Sequence, residues 1–413
     1  MTITPVAPDV GESLSTDLVP IEPTASRPVS AEVAVRESDA EEPSRDGVAP
    51  PGVGRINSLD VARGLMLIFS VGVNSWPWWS MPAWFDHAPW IGIHPIDWSF
   101  PIFVTLSGCG LAFANARQVK LGPLLQRVVI LFAVGLVYNA IPVGVAFSWS
   151  TLRIPGVLQL YAFVVLVIGL AHYVLKSWKE WVLATVLLAL ADALLIATWG
   201  TKCAAGHVTR MCNPSHAVDF AVFGAHHLYA GGIYGYDPEG IPSMFGALVT
   251  ASLGATIGHI LLARRRDPDK VRTGLTIASV AGGGLLLASL LHRVVPAIKK
   301  EWTAPFALLI SSCTALGLLL THLAVDRPRL PRLQRIVQYP LVALGRNSLF
   351  VYFGSHALTD ILTTHGGTDN WFLRLQRHVT MFGHVQISIT LFLEAIWITL
   401  ACVLHRLKIY LRP

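Results

Sequence analysis

Apolar runs of roughly 20 residues recur along the chain, and each is long enough to cross the ~30 Å hydrocarbon core of a bilayer as a helix. Hydrophobic residues make up 53% of the 413 residues and charged residues only 14%, whereas about a quarter of the residues in a soluble domain are charged. These runs predict an all-α fold, namely a polytopic membrane protein with about ten transmembrane helices.

The candidate spans and the charges between them predict a topology. The spans cover residues 60–80, 97–116, 122–143, 154–175, 180–199, 241–263, 273–292, 304–325, 335–357 and 384–405. The loops on one side, such as "RRRDPDKVR" and "DRPRLPRLQR", are short and basic, while those on the other side include the long, histidine-bearing segments 81–96, 200–240 and 358–383. Because basic loops stay on the cytoplasmic side, we expect a multi-pass plasma-membrane protein with both termini in the cytoplasm.

Residues 1–54 have a composition unlike the rest of the chain. They contain no aromatic residue and carry ten acidic against three basic residues, a net charge of −7 that leaves +13 for the remainder. Such a segment cannot bury enough apolar surface to fold. We therefore expect a disordered acidic cytoplasmic tail over 1–54 and a membrane domain over 55–413. The basic excess of the remainder follows the inner loops, so it predicts a lipid bilayer and no nucleic acid as partner.

Three titratable residues, His87, His94 and Asp97, lie around the start of the second candidate span, in the stretch "HAPWIGIHPIDWSFPIFVTLSG". His87 lies in the connector between the first two spans, with Asn74 near the end of the first and Asp97 at the start of the second. A histidine flanked by an acid and an amide is a workable general base, because the acid orients the ring. A lone histidine in this place is more often a plain interfacial residue. The two polar neighbours make His87, Asn74 and Asp97 the candidate catalytic residues.

The second polar segment is "DFAVFGAHHLYAGGIYGYDPEGIPSMFGALV", residues 219–249. Its "YDPEG" precedes the sixth span, where Glu239 suits a helix start because of the positive end of the helix dipole. One interpretation is that structural role. The other is that His227, Asp237 and Glu239 face a substrate, and these three are the candidate substrate-binding residues.

Arg63, Arg127 and Arg346 lie in the inner halves of apolar spans. An ionisable group inside a span is costly and is a functional hypothesis by default. Arg63 also follows Asp60 by three residues, so a helix cap with an ion pair is the alternative there. The three arginines are the candidate cofactor-binding residues for an anionic cofactor, because Arg binds phosphate through parallel hydrogen bonds.

The sequence contains weaker signals for a metal site and for a disulfide bond. No HxxxH or HExxH spacing occurs on a span, and the adjacent His226 and His227 point in different directions on a helix or strand, so we expect no metal site. Cys203 and Cys212 share an outer loop, where an oxidising compartment allows a disulfide. Nearness in sequence does not guarantee the geometry that this bond needs, so the pairing stays open.

Six motifs occur in a fixed order along the membrane domain. They are "RINSLDVARGLMLIFSVGVNS", "HAPWIGIHPIDWSFPIFVTLSG", "LRIPGVLQLYAF", "DFAVFGAHHLY", "YDPEGIPS" and "LGRNSLFVY". In these motifs, residues 55–405 resemble heparan-alpha-glucosaminide N-acetyltransferase and its bacterial relatives in the transmembrane acyltransferase superfamily. The resemblance implies that 55–413 is a transmembrane acyltransferase domain. Such a domain moves an acetyl group from cytosolic acetyl-CoA to an amino sugar across the membrane.

The resemblance also implies roles for individual residues. The family's catalytic histidine in "HAxWxG" falls on His87, its first-span asparagine on Asn74 and its acid before "FP" on Asp97. The family's "HLY" and "DPEG" segments fall on residues 227–229 and 237–240.

Two departures from the family bear on the acceptor. Leu160 stands where an arginine usually follows the glutamine, and the acidic tail stands where lysosomal members carry a glycosylated luminal domain. The expected partners are acetyl-CoA as co-substrate and an amino-sugar-containing glycan or glycolipid, with a homodimer left open. The alternatives are a transporter or flippase of an envelope intermediate, and an O-acyltransferase that uses another acyl-CoA. A transporter should show broken helices near the bilayer midplane.

Overall fold

Helices account for the regular structure of the chain wherever it is described. The computed structural model describes residues 56–77, 81–141, 148–264, 270–326, 331–365, 369–379 and 384–410, and the predicted tail over 1–54 lies outside these ranges. Within them there is no β-strand, and the isolated bridges pair Gly92 with Ile298 and Thr209 with Cys212. The all-α prediction is confirmed for this part of the chain.

Thirteen α-helices lie in the described residues. They are α1 (Asn57–Asn74), α2 (Ser99–Ala114), α3 (Leu121–Asn139), α4 (Val157–Ala171), α5 (Trp178–Gly200), α6 (Pro214–Phe223), α7 (Ile241–Ala263), α8 (Lys270–His292), α9 (Ala304–Val325), α10 (Pro331–Arg346), α11 (Ser348–Thr364), α12 (Trp371–His378) and α13 (Val385–Arg406). The first predicted span reaches residue 80, but α1 ends at Asn74, three residues before Pro77. Proline has no N–H for the helix ladder and its ring crowds the preceding turn, which favours the end of a helix before it.

Seven stretches of the described residues are long and apolar enough to cross a membrane. They are Pro95–Ala114, Leu121–Asn139, Trp178–Gly200, Ile241–Ala263, Val271–His292, Ala304–Val325 and Val385–Arg406. α4 is apolar but shorter. These helices make the chain a multi-pass membrane protein, while the predicted number of ten transmembrane helices is not confirmed.

The predicted span over 335–357 is divided between two helices. α10 ends at Arg346 and α11 begins at Ser348, with Asn347 between them. α10 also contains Pro340, which removes one backbone donor from the helix. The apolar run predicts one continuous span here, but the structure has two helices, and Ile336 and Val337 of α10 are exposed.

α2 and α7 form a closely packed pair in the core. α7 is buried along nearly its whole length, and small residues allow its backbone to approach that of α2. A Cβ atom at Gly108 would lie 2.1 Å from the carbonyl oxygen of Ala251. One at Gly254 would lie 2.0 Å from the carbonyl oxygen of Thr105. Because no side chain fits at such separations, glycine at these two positions sets the distance between the helices.

The segment between α5 and α7 is ordered by a cross-link and a capped helix. Cys203 and Cys212 form a disulfide bond, which the sequence leaves open. Thr209 and Cys212 exchange two backbone hydrogen bonds inside the same loop. α6 follows directly, and its N-cap Asn213 accepts from the backbone N–H of His216. The long segment 200–240 therefore has a defined shape rather than being a simple loop.

A side chain at position 254 should push α2 and α7 apart. For Gly254→Leu we expect the free energy of unfolding to fall by about 1–3 kcal/mol, the usual cost of overpacking a close-fitting core. Thermal unfolding of the detergent-solubilised protein would show this as a lower Tm. Gly282→Ala is the matched control, because nothing lies within 4 Å of a Cβ atom placed there. An unchanged Tm for Gly254→Leu would show that the pair does not depend on this contact.

Candidate active site

A cavity of about 260 Å³ lies where α1 ends and where α2 and α7 begin. Its lining includes Asn74, His87, Asp97, Tyr138, Glu239, Lys299, Tyr352 and His356. α2 and α7 run parallel, so the segments that lead into them meet at the same end of the bundle. The cavity therefore brings together the three candidate catalytic residues and one of the three candidate substrate-binding residues.

His87 and Asp97 form a hydrogen-bonded pair in this cavity. His87 Nδ1 lies 2.6 Å from Asp97 Oδ1, and Asp97 is buried whereas 44% of the His87 side chain is exposed. Asp97 Oδ2 accepts from the backbone N–H groups of His94, at 2.8 Å, and Ala88, at 3.3 Å. Because an ionised carboxylate only accepts, we assign the proton of the ring to Nδ1. This tautomer leaves Nε2 as a proton acceptor.

The connector that carries His87 is also held by its backbone. The N–H of Gly92 donates to the carbonyl oxygen of Ala297 at 3.0 Å. The carbonyl oxygen of Pro89 accepts from Lys300 Nζ at 3.0 Å. Both partners belong to the loop between α8 and α9, so this loop fixes the chain on the C-terminal side of the histidine.

Asn74 is the last residue of α1 and lines the same cavity. Its amide nitrogen lies 3.4 Å from Thr359 Oγ1 in α11, which is long for a hydrogen bond. The end of α1 is held independently, because Gln386 of α13 donates to the carbonyl oxygen of Ser75 at 2.9 Å. The Asn74 amide is therefore positioned by the helix end and remains able to donate to a ligand oxygen.

Arg153 joins the two acids of the "DPEG" segment. Its Nε donates to Asp237 Oδ2 at 3.0 Å, and its Nη2 donates to Asp237 Oδ1 and to Glu239 Oε2, the latter at 2.6 Å. Asp237 is fully buried and also accepts from the backbone N–H groups of Tyr229 and Glu239. Asp237 thus holds the loop together. Glu239 faces the cavity, where Lys299 Nζ lies 3.8 Å from its Oε1.

Charge pairing sets the protonation of this network. Burial alone would raise the pKa of Glu239, but the charges of Arg153 and Lys299 outweigh it and hold that pKa below its ordinary value. Burial likewise opposes the charge on Arg153, but Glu239 and Asp237 keep the Arg153 pKa above its usual range. Both side chains are therefore charged at neutral pH.

The other predictions about this segment have different outcomes. Glu239 does not cap α7, because its carboxylate pairs with Arg153 and the N–H of Ile241 donates to Asp219 Oδ1 at 2.8 Å. His227 lies outside the cavity lining, and its Nδ1 lies 2.8 Å from the carbonyl oxygen of Leu152. Of the candidate substrate-binding residues, only Glu239 reaches the cavity.

The three candidate arginines divide between two places. Arg63 Nη1 and Arg346 Nε lie 3.9 and 3.5 Å from the two carboxylate oxygens of Asp60. Arg127 instead donates to Tyr161 Oη at 2.8 Å. Two guanidinium groups around one carboxylate leave an excess positive charge near the start of α1, away from the cavity. The predicted ion pair of Arg63 with Asp60 is present, but the single charge of Asp60 does not balance the charges of both arginines.

Five residues of this site lie outside the set predicted from the sequence. They are Arg153, Lys299, Tyr138, Tyr352 and His356. Arg153 and Lys299 carry a signal, since they are basic residues in segments predicted to be outside, where such residues are scarce. Their acidic partners are far away in sequence, so the pairing itself is not visible there. In the described residues, no group of three or more His, Cys, Asp or Glu is arranged to hold a metal ion.

Fold and cavity define a class: a multi-pass helical membrane protein with a histidine–aspartate pair in a cavity at the helix ends. Residues 55–233 match the model of a protein family described as heparan-alpha-glucosaminide N-acetyltransferase, catalytic. This stretch includes Asn74, His87 and Asp97.

Two relatives extend the match beyond that stretch. Human heparan-alpha-glucosaminide N-acetyltransferase is 26% identical over 419 aligned residues, which cover 86% of this chain and 59% of the human protein. The mouse protein of the same name is 23% identical over 415 residues, covering 86% of this chain and 60% of the mouse protein. These matches confirm the resemblance seen in the motifs: the chain is similar to heparan-alpha-glucosaminide N-acetyltransferases over most of its length. It spans about three-fifths of the length of these relatives.

The Arg153 network should make stability depend on pH in a defined direction. A carboxyl group whose pKa is lowered by folding contributes stability above its unfolded pKa, and this is lost as the pH falls through the folded value. Arg153→Ala leaves Asp237 and Glu239 buried without their main partner, which should cost about 3–5 kcal/mol at neutral pH. The loss should shrink at about pH 4, where an unpaired buried carboxyl group is protonated.

Thermal unfolding of the wild type and the variant at both pH values would measure this difference. Arg153→Lys is the control, because it keeps the charge and loses only the two-pronged geometry. A deficit for Arg153→Ala that is the same at both pH values would contradict the proposed charge pairing.

Proposed function

We propose that the chain is an acetyl-CoA-dependent membrane acetyltransferase that acts on an amino sugar of a glycan or glycolipid. The observation that carries this proposal is the His87–Asp97 pair in a cavity that also contains Asn74 and Glu239. The similarity to the human and mouse relatives supports it, because both are named as N-acetyltransferases.

His87 acts as the general base. As the acceptor amine attacks the carbonyl carbon of the thioester, His87 Nε2 takes the proton of the amine, and the C–S bond then breaks with the CoA thiolate as leaving group. His87 returns the proton to the thiolate. A base in this role contributes about 10²–10⁴-fold in rate. Asp97 keeps the ring in the tautomer that the step requires. Attack by His87 itself, giving an acetyl-histidine intermediate, uses the same geometry.

Asn74 and Glu239 serve the two reactants. The Asn74 amide donates to the oxygen of the thioester, where negative charge develops, and one such donor is worth about 3 kcal/mol. Glu239 Oε1 lies 3.8 Å from Lys299 Nζ, which is beyond hydrogen-bond length, so it can accept from an amine or hydroxyl group of the sugar. Glu239 is thereby the group that holds the acceptor.

The phosphates of acetyl-CoA bind at the opposite end of α1. Arg63 and Asn74 are eleven residues apart on this helix, which is about 16 Å at a rise of 1.5 Å per residue. An extended ligand can span that distance with its phosphates beside Arg63 and Arg346 and its thioester beside Asn74. Arg127, which donates to Tyr161 instead, would contribute a separate contact.

This arrangement fits a plasma-membrane protein with cytoplasmic termini. The arginine end of α1 would then face the cytosol, which supplies acetyl-CoA, and the cavity would face the outside. The break at Asn347 lies beside Arg346, at the level of Asp60 and the start of α1. Since a transporter is expected to break its helices near the midplane, this break does not favour the transporter alternative.

Replacement of His87 tests the catalytic assignment. For His87→Ala we expect the rate of acetyl transfer to fall by about two to four powers of ten, with unchanged binding of acetyl-CoA. Asp97→Asn should lose less, because it removes the orienting charge but leaves the base. Release of CoA by purified protein, measured with acetyl-CoA and glucosamine, reports the rate.

His94→Ala is the matched control for this experiment. His94 lies in the same connector, but its ring contacts the carbonyl oxygen of Asp86 and lies outside the cavity lining. We expect this variant to keep most of its activity. If His87→Ala retained near-normal transfer, or if both variants lost activity equally, His87 would not be the base.

The arginine site has its own test. The double variant Arg63→Gln/Arg346→Gln should weaken binding of acetyl-CoA by at least about tenfold, since a hydrogen bond to a charged group is worth about 1.5–3 kcal/mol. Titration calorimetry of the purified protein measures the affinity. The double variant Arg117→Gln/Lys120→Gln removes the same charge from exposed positions at the start of α3 and should bind normally. Equal affinities for the two double variants would place the phosphates elsewhere.

A further inference from the structure

The segment "YAGGIYGY", residues 229–236, is not used by the proposed chemistry, yet its backbone is tightly constrained. Ala230, Gly231, Gly232 and Gly235 all have positive φ angles, between 49° and 77°. A Cβ atom at Gly235 would lie 2.5 Å from the carbonyl oxygen of Arg210, so only glycine fits there. A loop coiled in this way keeps its three tyrosines, separated by six residues or fewer, on one local surface.

The rings of Tyr229, Tyr234 and Tyr236 form a patch, which we call the tyrosine patch. Their centroids are 5.8, 6.3 and 6.5 Å apart, and the ring planes differ by only 27–30°. In a column of three rings, the outer pair would be separated by about the sum of the two shorter distances. The three nearly equal distances therefore describe a compact triangle of rings rather than a column, and Tyr229 and Tyr234 are its exposed members.

The rings of the tyrosine patch differ in their exposure, and two of them lie beneath cations. Tyr229 and Tyr234 are 39% and 43% exposed, whereas Tyr236 is buried. Arg153 lies over the Tyr229 ring at 5.0 Å and Lys300 over the Tyr236 ring at 5.4 Å. In the described residues, the Tyr234 ring has no such cation and the hydroxyl groups of Tyr229 and Tyr234 have no hydrogen-bond partner.

The tyrosine patch is continuous with the cavity. Arg153, which covers Tyr229, donates to Glu239 at 2.6 Å, and Glu239 lines the cavity. On the other side, the Trp90 ring lies 5.2 Å from that of Tyr236, and Trp90 is three residues from His87. The patch is therefore joined to the candidate active site through two separate contacts.

We propose that the tyrosine patch binds the sugar residues of a glycan acceptor that lie beyond the reacting amino sugar. This rests on the proposed acetyl transfer in the adjacent cavity. The face of an aromatic ring carries partial negative charge, which attracts the C–H groups on the flat side of a pyranose ring. The free hydroxyl groups of Tyr229 and Tyr234 can exchange hydrogen bonds with those of the sugar. The preferred acceptor is then an oligosaccharide rather than a free amino sugar.

Tyrosines also anchor membrane proteins at the bilayer surface, and this role gives the competing explanation. An anchor acts through burial in the lipid headgroup region and does not distinguish between acceptors. A glycan site changes the affinity for a long acceptor while the affinity for a short one stays the same. The two explanations therefore differ in a measurable ratio.

The test compares glucosamine with a trisaccharide in which one glucosamine caps two neutral hexoses. For the wild type we expect a lower KM with the trisaccharide. Tyr234→Ala should raise the KM for the trisaccharide by about three- to tenfold, the usual effect of losing one aromatic contact, without changing the KM for glucosamine. Tyr234→Phe keeps the ring and loses only the hydroxyl group, so its KM for the trisaccharide should lie between those of the wild type and Tyr234→Ala. Ile233→Ala, which changes an exposed residue of the same loop, should have no effect.

The outcomes separate this inference from the proposed function. If the wild type transfers acetyl groups equally well to both acceptors, or if Tyr234→Ala changes both KM values alike, the glycan site is wrong while the acetyltransferase stands. A lower Tm in lipid vesicles with an unchanged KM ratio would identify a membrane anchor instead. If neither acceptor is acetylated, binding of the trisaccharide is measured directly by saturation-transfer NMR. Loss of that signal in Tyr234→Ala but not in Tyr234→Phe would support the site independently of activity.

Discussion

A carboxylate buried in a largely apolar protein needs hydrogen-bond donors. The donors to Asp97 belong to the connector that also carries its partner, His87. It accepts from the backbone of His94 and Ala88 and from the ring of His87. The same three contacts fold the connector back onto the start of α2. The contacts that stabilise the buried charge of Asp97 therefore also orient the ring of His87, and the position of this candidate base depends on them.

A second buried charge network borders the same cavity. Arg153 pairs with both Asp237 and Glu239, two acids that are only two residues apart. Both carboxylate oxygens of Asp237 accept hydrogen bonds from backbone N–H groups and from the guanidinium group of Arg153. One carboxylate oxygen of Glu239 instead lies near Lys299. The fully buried Asp237 therefore holds the loop together, whereas Glu239 lines the cavity, which is the position that the proposed contact with the acceptor requires.

Much of this arrangement could be predicted from the sequence because hydrophobic runs and local spacing carry it. The length of the apolar runs predicts the helical spans. The positions of His87, Asn74 and Asp97 at neighbouring helix ends predict that these three side chains lie close together. The structure adds what depends on distant pairing. Arg153 lies 84 residues before Asp237, so sequence suggests a helix cap for Glu239 where the structure shows an ion pair. The break at Asn347 falls on the polar residues 346–348, a signal that is lost when hydrophobicity is averaged over the length of a span.

The glycine contacts between α2 and α7 have a consequence for access to the cavity. Backbones in direct contact cannot slide or tilt independently, because interlocked surfaces transmit displacement rather than absorb it. Asp97 and Glu239, attached to the ends of these two helices, therefore keep a fixed separation. Asn74, Tyr138 and Tyr352 line the same cavity from three other helices, α1, α3 and α11. The glycine contacts thus give the His87–Asp97 pair and Glu239 a common rigid frame, and a reactant has to fit the separation that this frame sets.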